Sequence, residues 1–210
     1  MSKGIHRNNI PKLVLAGMVK AEKAWDALHG TWADHAPEYW FTVIVAQHLQ
    51  RYLDTEKNWI GLEANVKETL KLAEVSRPGR PNKSLRHNGR CDIVVARGNE
   101  KPFAAIELKS PMYSFTAPLK KDIVRLRDML RKDQRNSLSI ACIALYSSAS
   151  EENTKKGAMG TLEQRFENNL RGVRELCKDN ALIAKEIHVI RVGRDAEDCW
   201  GVQCLFIVRK

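Results

Sequence analysis

Two short apolar runs separated by one turn, residues 89–109, most constrain how this chain can fold. Asp92 precedes the first run, and the second run carries Glu107 two places before Lys109. The turn-forming cluster between the runs predicts a β-hairpin centred on Asn99-Glu100. In that register Asp92 lies opposite Glu107, because both are equally far from the centre of the turn.

The three charged residues of this hairpin are predicted to lie on one face of it. Side chains alternate along a strand, so Glu107 and Lys109 point the same way. Residues directly opposed on neighbouring strands are about 5 Å apart, which brings Asp92 next to Glu107. The flanking sequence is apolar, and uncompensated burial of such charges costs several kcal/mol. We therefore expect a compensating group, for which a divalent metal is the natural candidate.

The order of the motifs resembles the PD-(D/E)XK nuclease superfamily: GR-x-D, a hairpin, Glu-x-Lys between apolar residues, then a helix and an apolar strand. The resemblance covers roughly residues 34–146, and Cys91 stands where the pattern has its leading proline. It implies an α/β restriction-endonuclease-like fold, a mixed sheet flanked by helices. Residues 1–33 would form an N-terminal helical extension and residues 34–210 the nuclease-like domain. The implied activity is that of a nuclease dependent on Mg²⁺ or Mn²⁺, with DNA as the expected substrate.

The residue types at the motif suit phosphodiester hydrolysis. Such a reaction needs charge neutralised on the attacked phosphate, and hard oxygen ligands suit Mg²⁺. Asp92 and Glu107 supply two carboxylates, and the backbone carbonyl of Leu108 is a further candidate ligand. Lys109 is expected to orient the attacking water and to stabilise the developing anion, as the matching lysine of the superfamily does. The alternative is a surface salt bridge between Lys109 and one carboxylate, worth at most about 1 kcal/mol.

A further acidic ligand is predicted on the helix that starts near Pro37. Glu38 lies at the centre of the apolar face of that helix, and many members of the superfamily carry an acidic residue on their first helix. A favourable interaction with the helix dipole explains Glu38 equally well. Glu63, within a predicted strand at residues 59–66, is the alternative ligand.

The charge of the chain favours a polyanionic partner. Lysine and arginine number 35 against 25 aspartates and glutamates, a net charge of +10. Phosphate contacts are expected from a basic loop at residues 76–90 and from the helix after the motif: Arg77, Arg80, Lys83, Arg86, Arg90 and Lys120. The tryptophans lie mostly in apolar contexts, so they predict no stacking platform for single strands. A second copy or a partner protein is a further source of specificity.

The rest of the chain completes the predicted α/β pattern. Helices are predicted at 11–29, 37–53, 117–133 and 161–178, a buried central strand at 138–146, and a closing hairpin from 185–192 and 199–208. The five scattered cysteines are expected to be small buried hydrophobes in a reducing compartment. No apolar run approaches the ~20 residues of a membrane span, and we expect a cytoplasmic protein.

Two other functions stay open on sequence alone. The first is a nucleic-acid-binding or regulatory module that has the nuclease-like fold without turnover. The second is an interaction protein without a metal, in which the hairpin charges form only a salt bridge.

Overall fold

The protein is an α/β structure, as the sequence predicts. The computed structural model describes residues 6–53, 57–75, 83–131, 135–153, 155–178, 182–193 and 197–209. The helices are α1 (Ile10–His29), α2 (Glu38–Gln50), α3 (Val66–Leu72), α4 (Ala117–Leu130) and α5 (Gly157–Leu176). The strands are β1 (Asn58–Asn65), β2 (Arg90–Arg97), β3 (Pro102–Lys109), β4 (Ile140–Ser150), β5 (Leu182–Val192) and β6 (Asp198–Arg209).

The strands form a six-stranded mixed sheet in the order β1-β2-β3-β4-β6-β5. Every neighbouring pair is antiparallel except β3 and β4, which are parallel and are joined through α4. Strand β4 lies inside the sheet, and its residues from Ile140 to Ala149 are all buried. This confirms the prediction that the continuous apolar run around Cys142 is a central strand covered on both faces.

Helices cover both faces of the sheet because the strands carry apolar side chains on both sides. Ile93 and Ile106 belong to the same buried cluster as α1 and α2, whereas Val94 and Ala105 belong to the cluster of α4. This assignment follows the alternation of side chains along a strand. Helix α1 contributes buried residues to the first cluster, so it packs into the sheet core. The division at residue 33 stays a prediction.

The β2–β3 hairpin has the predicted register at its open end and a different turn. Ile93 pairs with Ile106, and the next position along places Asp92 opposite Glu107, as predicted. Near the turn the register shifts between Val95 and Ala96. Glu100 adopts a left-handed φ of 61°, as in three-residue hairpin loops that end on such a residue. The bulge thus offsets the different turn, so Asp92 stays opposite Glu107.

Several boundaries differ from the predicted ones. Helix α3 was not predicted; it begins where the side chain of Asn65 accepts a hydrogen bond from the N–H of Glu68. Strand β4 continues to Ser150 because its serine-rich end still pairs with β6.

Helix α1 ends as predicted at Gly30, whose φ of 67° is the left-handed conformation that glycine favours.

Two simpler predictions concern the cysteines and the membrane. All five cysteines are free and buried, as the sequence predicts. Within the described ranges, no helix has the length and apolar character needed to cross a bilayer.

Candidate active site

The predicted site residues meet at the open end of the β2–β3 hairpin. Asp92 lies near the start of β2, and Glu107 and Lys109 lie at the end of β3. Glu38 is the first residue of α2. Lys109 Nζ donates a hydrogen bond to Glu38 Oε1 at 2.9 Å, so the structure brings the predicted helix residue to the predicted strand residue.

Asp92 is a half-buried carboxylate that is only partly compensated. Its Oδ2 accepts a hydrogen bond from the backbone N–H of Leu108 at 2.7 Å. Burial raises its pKa to about 6, because loss of water outweighs this hydrogen bond and the nearby Lys109. Glu38 and Glu63 raise that pKa further through their negative charges. Asp92 therefore holds its negative charge at an energetic cost.

Glu107 is buried and bound to a cation that the sequence did not predict. Its side chain is 2% exposed, and its Oε1 lies 2.5 Å from the guanidinium of Arg125, which is 5% exposed. Burial and the charge of Asp92 nevertheless raise the pKa of Glu107 to about 8, against the opposing effects of Arg125 and Lys109. Asp122 also faces Arg125, so two carboxylates share this one guanidinium. Loss of water is the largest cause of the raised pKa, and Arg125 does not offset it together with the charge of Asp92.

Asp122, on the first turns of α4, connects the cations of the site. Its Oδ1 lies 3.1 Å from Arg125 and 3.5 Å from Arg86, and its Oδ2 lies 4.0 Å from Lys109. Arg86 is half-exposed at the rim of the site. The more buried part of the cluster thus sets three carboxylates against two cations: Asp92, Glu107 and Asp122 against Lys109 and Arg125. Glu38, whose side chain is 41% exposed, adds a fourth carboxylate at the rim.

Lys109 is held as a cation. Burial alone would lower its pKa, but the hydrogen bond to Glu38 and the charges of Asp92 and Glu107 outweigh burial and raise it. A protonated lysine at this position is a hydrogen-bond donor and an electrostatic stabiliser of anions.

The donor chemistry of the site fits a hard divalent cation, although the side chains do not converge on one point. Within the described part of the chain, no three His, Cys, Asp or Glu side chains are grouped as metal ligands. The ion pairs explain this, because Glu107 binds Arg125 and Glu38 binds Lys109. Carboxylate oxygens are nevertheless the ligands that Mg²⁺ prefers, and the excess of negative charge is what such an ion relieves. The carbonyl of Leu108 stays a predicted ligand.

The two alternative acidic residues are placed differently. Glu63 lies between Leu62, which pairs with Ile93, and Ala64, which pairs with Cys91. It therefore flanks Asp92 on the neighbouring strand, but it is exposed and has a left-handed φ of 49°. Glu38 is tied to the site by a hydrogen bond, whereas Glu63 acts on Asp92 through charge alone.

Several predicted phosphate-binding residues share one surface near the site. Lys83, Arg86 and Lys120 are exposed and line a cavity of about 500 Å³. Arg90 is exposed at the start of β2. Arg77 and Arg80 lie outside the described residues.

Sequence reasoning missed Arg125, although a signal for it exists. Arg125 follows Asp122 by three residues, which places both on one side of α4. A glutamate inside an apolar strand itself predicts a buried cationic partner.

Comparisons with protein families, with curated proteins and with solved structures give no match for this chain. Its function has to be inferred from the site.

Proposed function

We propose that this protein is a divalent-metal-dependent nuclease that hydrolyses phosphodiester bonds, with DNA as its expected substrate. The observation that carries the proposal is that Asp92, Glu107, Lys109 and Glu38 lie together at one end of the sheet. Raised pKa values in a cluster of carboxylates cost stability and are characteristic of functional sites. A salt bridge alone would not need this many acidic groups.

Each residue has a role that follows from its position. Asp92 and Glu107, with the Leu108 carbonyl and Glu38, supply oxygen ligands for Mg²⁺ or Mn²⁺. When bound, such an ion neutralises phosphate charge and lowers the pKa of a water molecule. Lys109 keeps its proton, donates a hydrogen bond to the attacking water or the phosphate oxygen, and stabilises the developing negative charge.

The arrangement around the site supports the same reading. Strands β2 and β3, helix α4 and strand β4 follow one another along the chain, the order on which the resemblance to PD-(D/E)XK nucleases rests. The basic surface formed by Lys83, Arg86 and Lys120 lies beside Asp122, where a phosphate backbone would approach.

The test is cleavage of a panel of labelled single-stranded, duplex and branched DNA and RNA with Mg²⁺, with Mn²⁺ or with a chelator. Wild type is expected to cleave at least one substrate only when metal is present, and Asp92→Asn is expected to be inactive. Glu74→Gln is the matched control, because Glu74 forms an exposed ion pair with Lys101 at the other end of the hairpin. The proposal fails if no substrate is cut with either metal, or if Asp92→Asn cuts as fast as wild type.

One observation favours a second candidate, a nucleic-acid-binding module with a nuclease-like fold and no turnover. Arg125 takes the position beside Glu107 that a metal would need to share. Such a module binds nucleic acid, and neither metal makes it cut. Binding in the chelator with no cleavage in any metal condition therefore supports this candidate over the nuclease.

A further inference from the structure

A groove of about 590 Å³ lies between the loop that follows β3 and helix α5. Two aromatic residues of the loop, Tyr113 and Phe115, line it. Arg165 and Arg171 of α5 and Lys120 of α4 add positive charge. The groove begins close to the candidate active site, because the loop continues directly from Lys109.

Each aromatic ring of the groove is paired with a cation. The guanidinium carbon of Arg165 lies 5.3 Å from the centre of the Tyr113 ring, and Tyr113 is 49% exposed. Lys120 Nζ lies 5.6 Å from the centre of the Phe115 ring. Phe115 packs on Gly172, where a Cβ would collide with the ring. Each ring is thus held in place by a neighbouring cation, and about half of Tyr113 remains exposed to a binding partner.

The cations of the groove are available to an anion. Arg165 is fixed by hydrogen bonds to Ser147 Oγ at 3.1 Å and to the Ser148 carbonyl at 2.6 Å. Neither Arg165 nor Lys120 forms an ion pair with another described residue. The one acidic residue among the described lining, Glu175, is paired with Lys178 at 2.5 Å. A rigid guanidinium without a carboxylate is a natural phosphate partner.

A buried amide gives the groove an unused acceptor. Asn169 lines the groove and is 3% exposed, and its Nδ2 donates to Gln203 Oε1 at 3.1 Å. Its Oδ1 has no hydrogen-bond partner among the described residues. A buried polar atom without a partner destabilises the fold unless a bound group satisfies it.

We propose that this groove binds unpaired nucleotides of a nucleic acid, with a base stacked on Tyr113 and phosphates on Arg165 and Lys120. The proposal rests on the proposed action on nucleic acid and narrows its substrate class to single strands or strands with an unpaired segment. Bases within a duplex have no free face for an aromatic side chain, whereas single strands are bound by stacking in a basic groove. Tyr113 and Phe115 thus supply a stacking platform, which the sequence contexts of the tryptophans did not predict.

A basic surface connects the groove to the rest of the site. Lys120 also lines the cavity of Lys83 and Arg86, and Arg86 lines a further cavity of about 370 Å³ with His87. A strand whose base is held by Tyr113 therefore finds cations for its backbone on the side of α4 where Asp122 lies.

The test is binding of a fluorescent ~15-nucleotide oligothymidylate, measured by anisotropy in a chelator so that cleavage does not interfere. Tyr113→Ala is expected to bind roughly tenfold more weakly than wild type, and Tyr113→Phe, which keeps the ring, to bind as wild type. Tyr52→Ala is the matched control, since Tyr52 is a 53% exposed aromatic residue outside the groove. A duplex of the same length is expected to compete poorly.

The outcomes separate this proposal from the proposed nuclease activity. Equal binding by Tyr113→Ala and wild type, or equal competition by the duplex, would overturn the groove assignment even if Asp92→Asn abolishes cleavage. Weakened binding by Tyr113→Ala supports the groove even if the wild type cuts nothing. Thermal unfolding of each variant checks that the loss does not come from misfolding, and Gly172→Ala, which displaces Phe115, gives a second variant with the same expected loss.

Discussion

Replacing Arg125 by methionine is expected to show how far the buried carboxylates depend on a cation. The guanidinium lies 2.5 Å from Glu107 and 3.1 Å from Asp122, and its side chain is 5% exposed. Arg125→Met keeps most of the apolar stem and removes the charge. Breaking a buried ion pair costs about 3–5 kcal/mol. We expect the lower end of this range, because Glu107 is able to take up a proton.

The cost of Arg125→Met is expected to grow with pH. The pKa of Glu107 is already raised to about 8 by burial and Asp92, and losing Arg125 raises it further. An acid with a raised pKa is stabilising when protonated, and that stability is lost as the pH rises through the folded pKa. Near pH ~5 Glu107 is neutral in both proteins, so the cost falls to about 1 kcal/mol for lost hydrogen bonds. Above the pKa of about 8 only the wild type keeps a cation beside the ionising Glu107, so the cost rises by about 1.4 kcal/mol per pH unit and approaches about 3 kcal/mol near pH ~9.5.

The assay is urea unfolding of wild type, Arg125→Met, Glu107→Gln and the double variant at about pH 5 and about pH 9.5. The double variant is expected to be more stable than the sum of the single losses predicts, because neither charge is then left without its partner. Arg131→Met is the matched control, since Arg131, the residue that follows α4, is 50% exposed and its replacement should cost at most about 1 kcal/mol. Additive losses, or an equal cost at both pH values, would refute the reasoning.

Three further predictions concern stability elsewhere in the fold. Burial raises the pKa of Glu22 from 4.5 to about 7, so this group alone should cost the wild type about 3 kcal/mol as the pH rises through that interval. Glu22→Gln should remove about that much of the pH dependence in urea unfolding, and an unchanged pH dependence would contradict the assignment. Thr116→Ala removes the side-chain cap that accepts from the N–H of Leu119 at 3.3 Å and should cost about 1 kcal/mol in thermal unfolding; no loss would argue against the cap. Gly17→Leu should cost about 2 kcal/mol in urea, because a Cβ there already lies 3.0 Å from the Cα of Val45; unchanged stability would mean that α1 and α2 separate freely.

The hairpin and its charges were predictable because they depend on local rules. The predicted turn centre and the alternation of side chains place Asp92 opposite Glu107, and the pairing is right because the bulge between Val95 and Ala96 offsets the different turn. Glu38 was harder to identify as the further acidic ligand, because its position on a helix face does not indicate which strand that face packs against. Its hydrogen bond with Lys109 joins residues 71 positions apart, and sequence patterns carry no such distance information.

The partners added by tertiary packing were beyond local rules. Arg125 was not predicted because the apolar stripe of α4 draws attention to leucine and isoleucine, while a charged residue beside the stripe usually faces solvent. The groove was not predicted because Tyr113 and Arg165 belong to segments separated by α4 and β4. Such a groove forms only when the folded sheet brings the segments of Tyr113 and Arg165 to the same end of the sheet.

The most direct measurement of the central claim is the Mn²⁺-dependent cleavage rate of Lys109→Ala against that of Lys101→Ala, on a substrate that wild type cuts. Both lysines belong to the same hairpin region, but Lys109 is half-buried beside Glu38, whereas Lys101 forms an exposed ion pair with Glu74. We expect Lys109→Ala to cleave about a hundredfold more slowly or worse, and Lys101→Ala to keep the wild-type rate. Equal rates for the two variants would contradict a catalytic site at the end of β3.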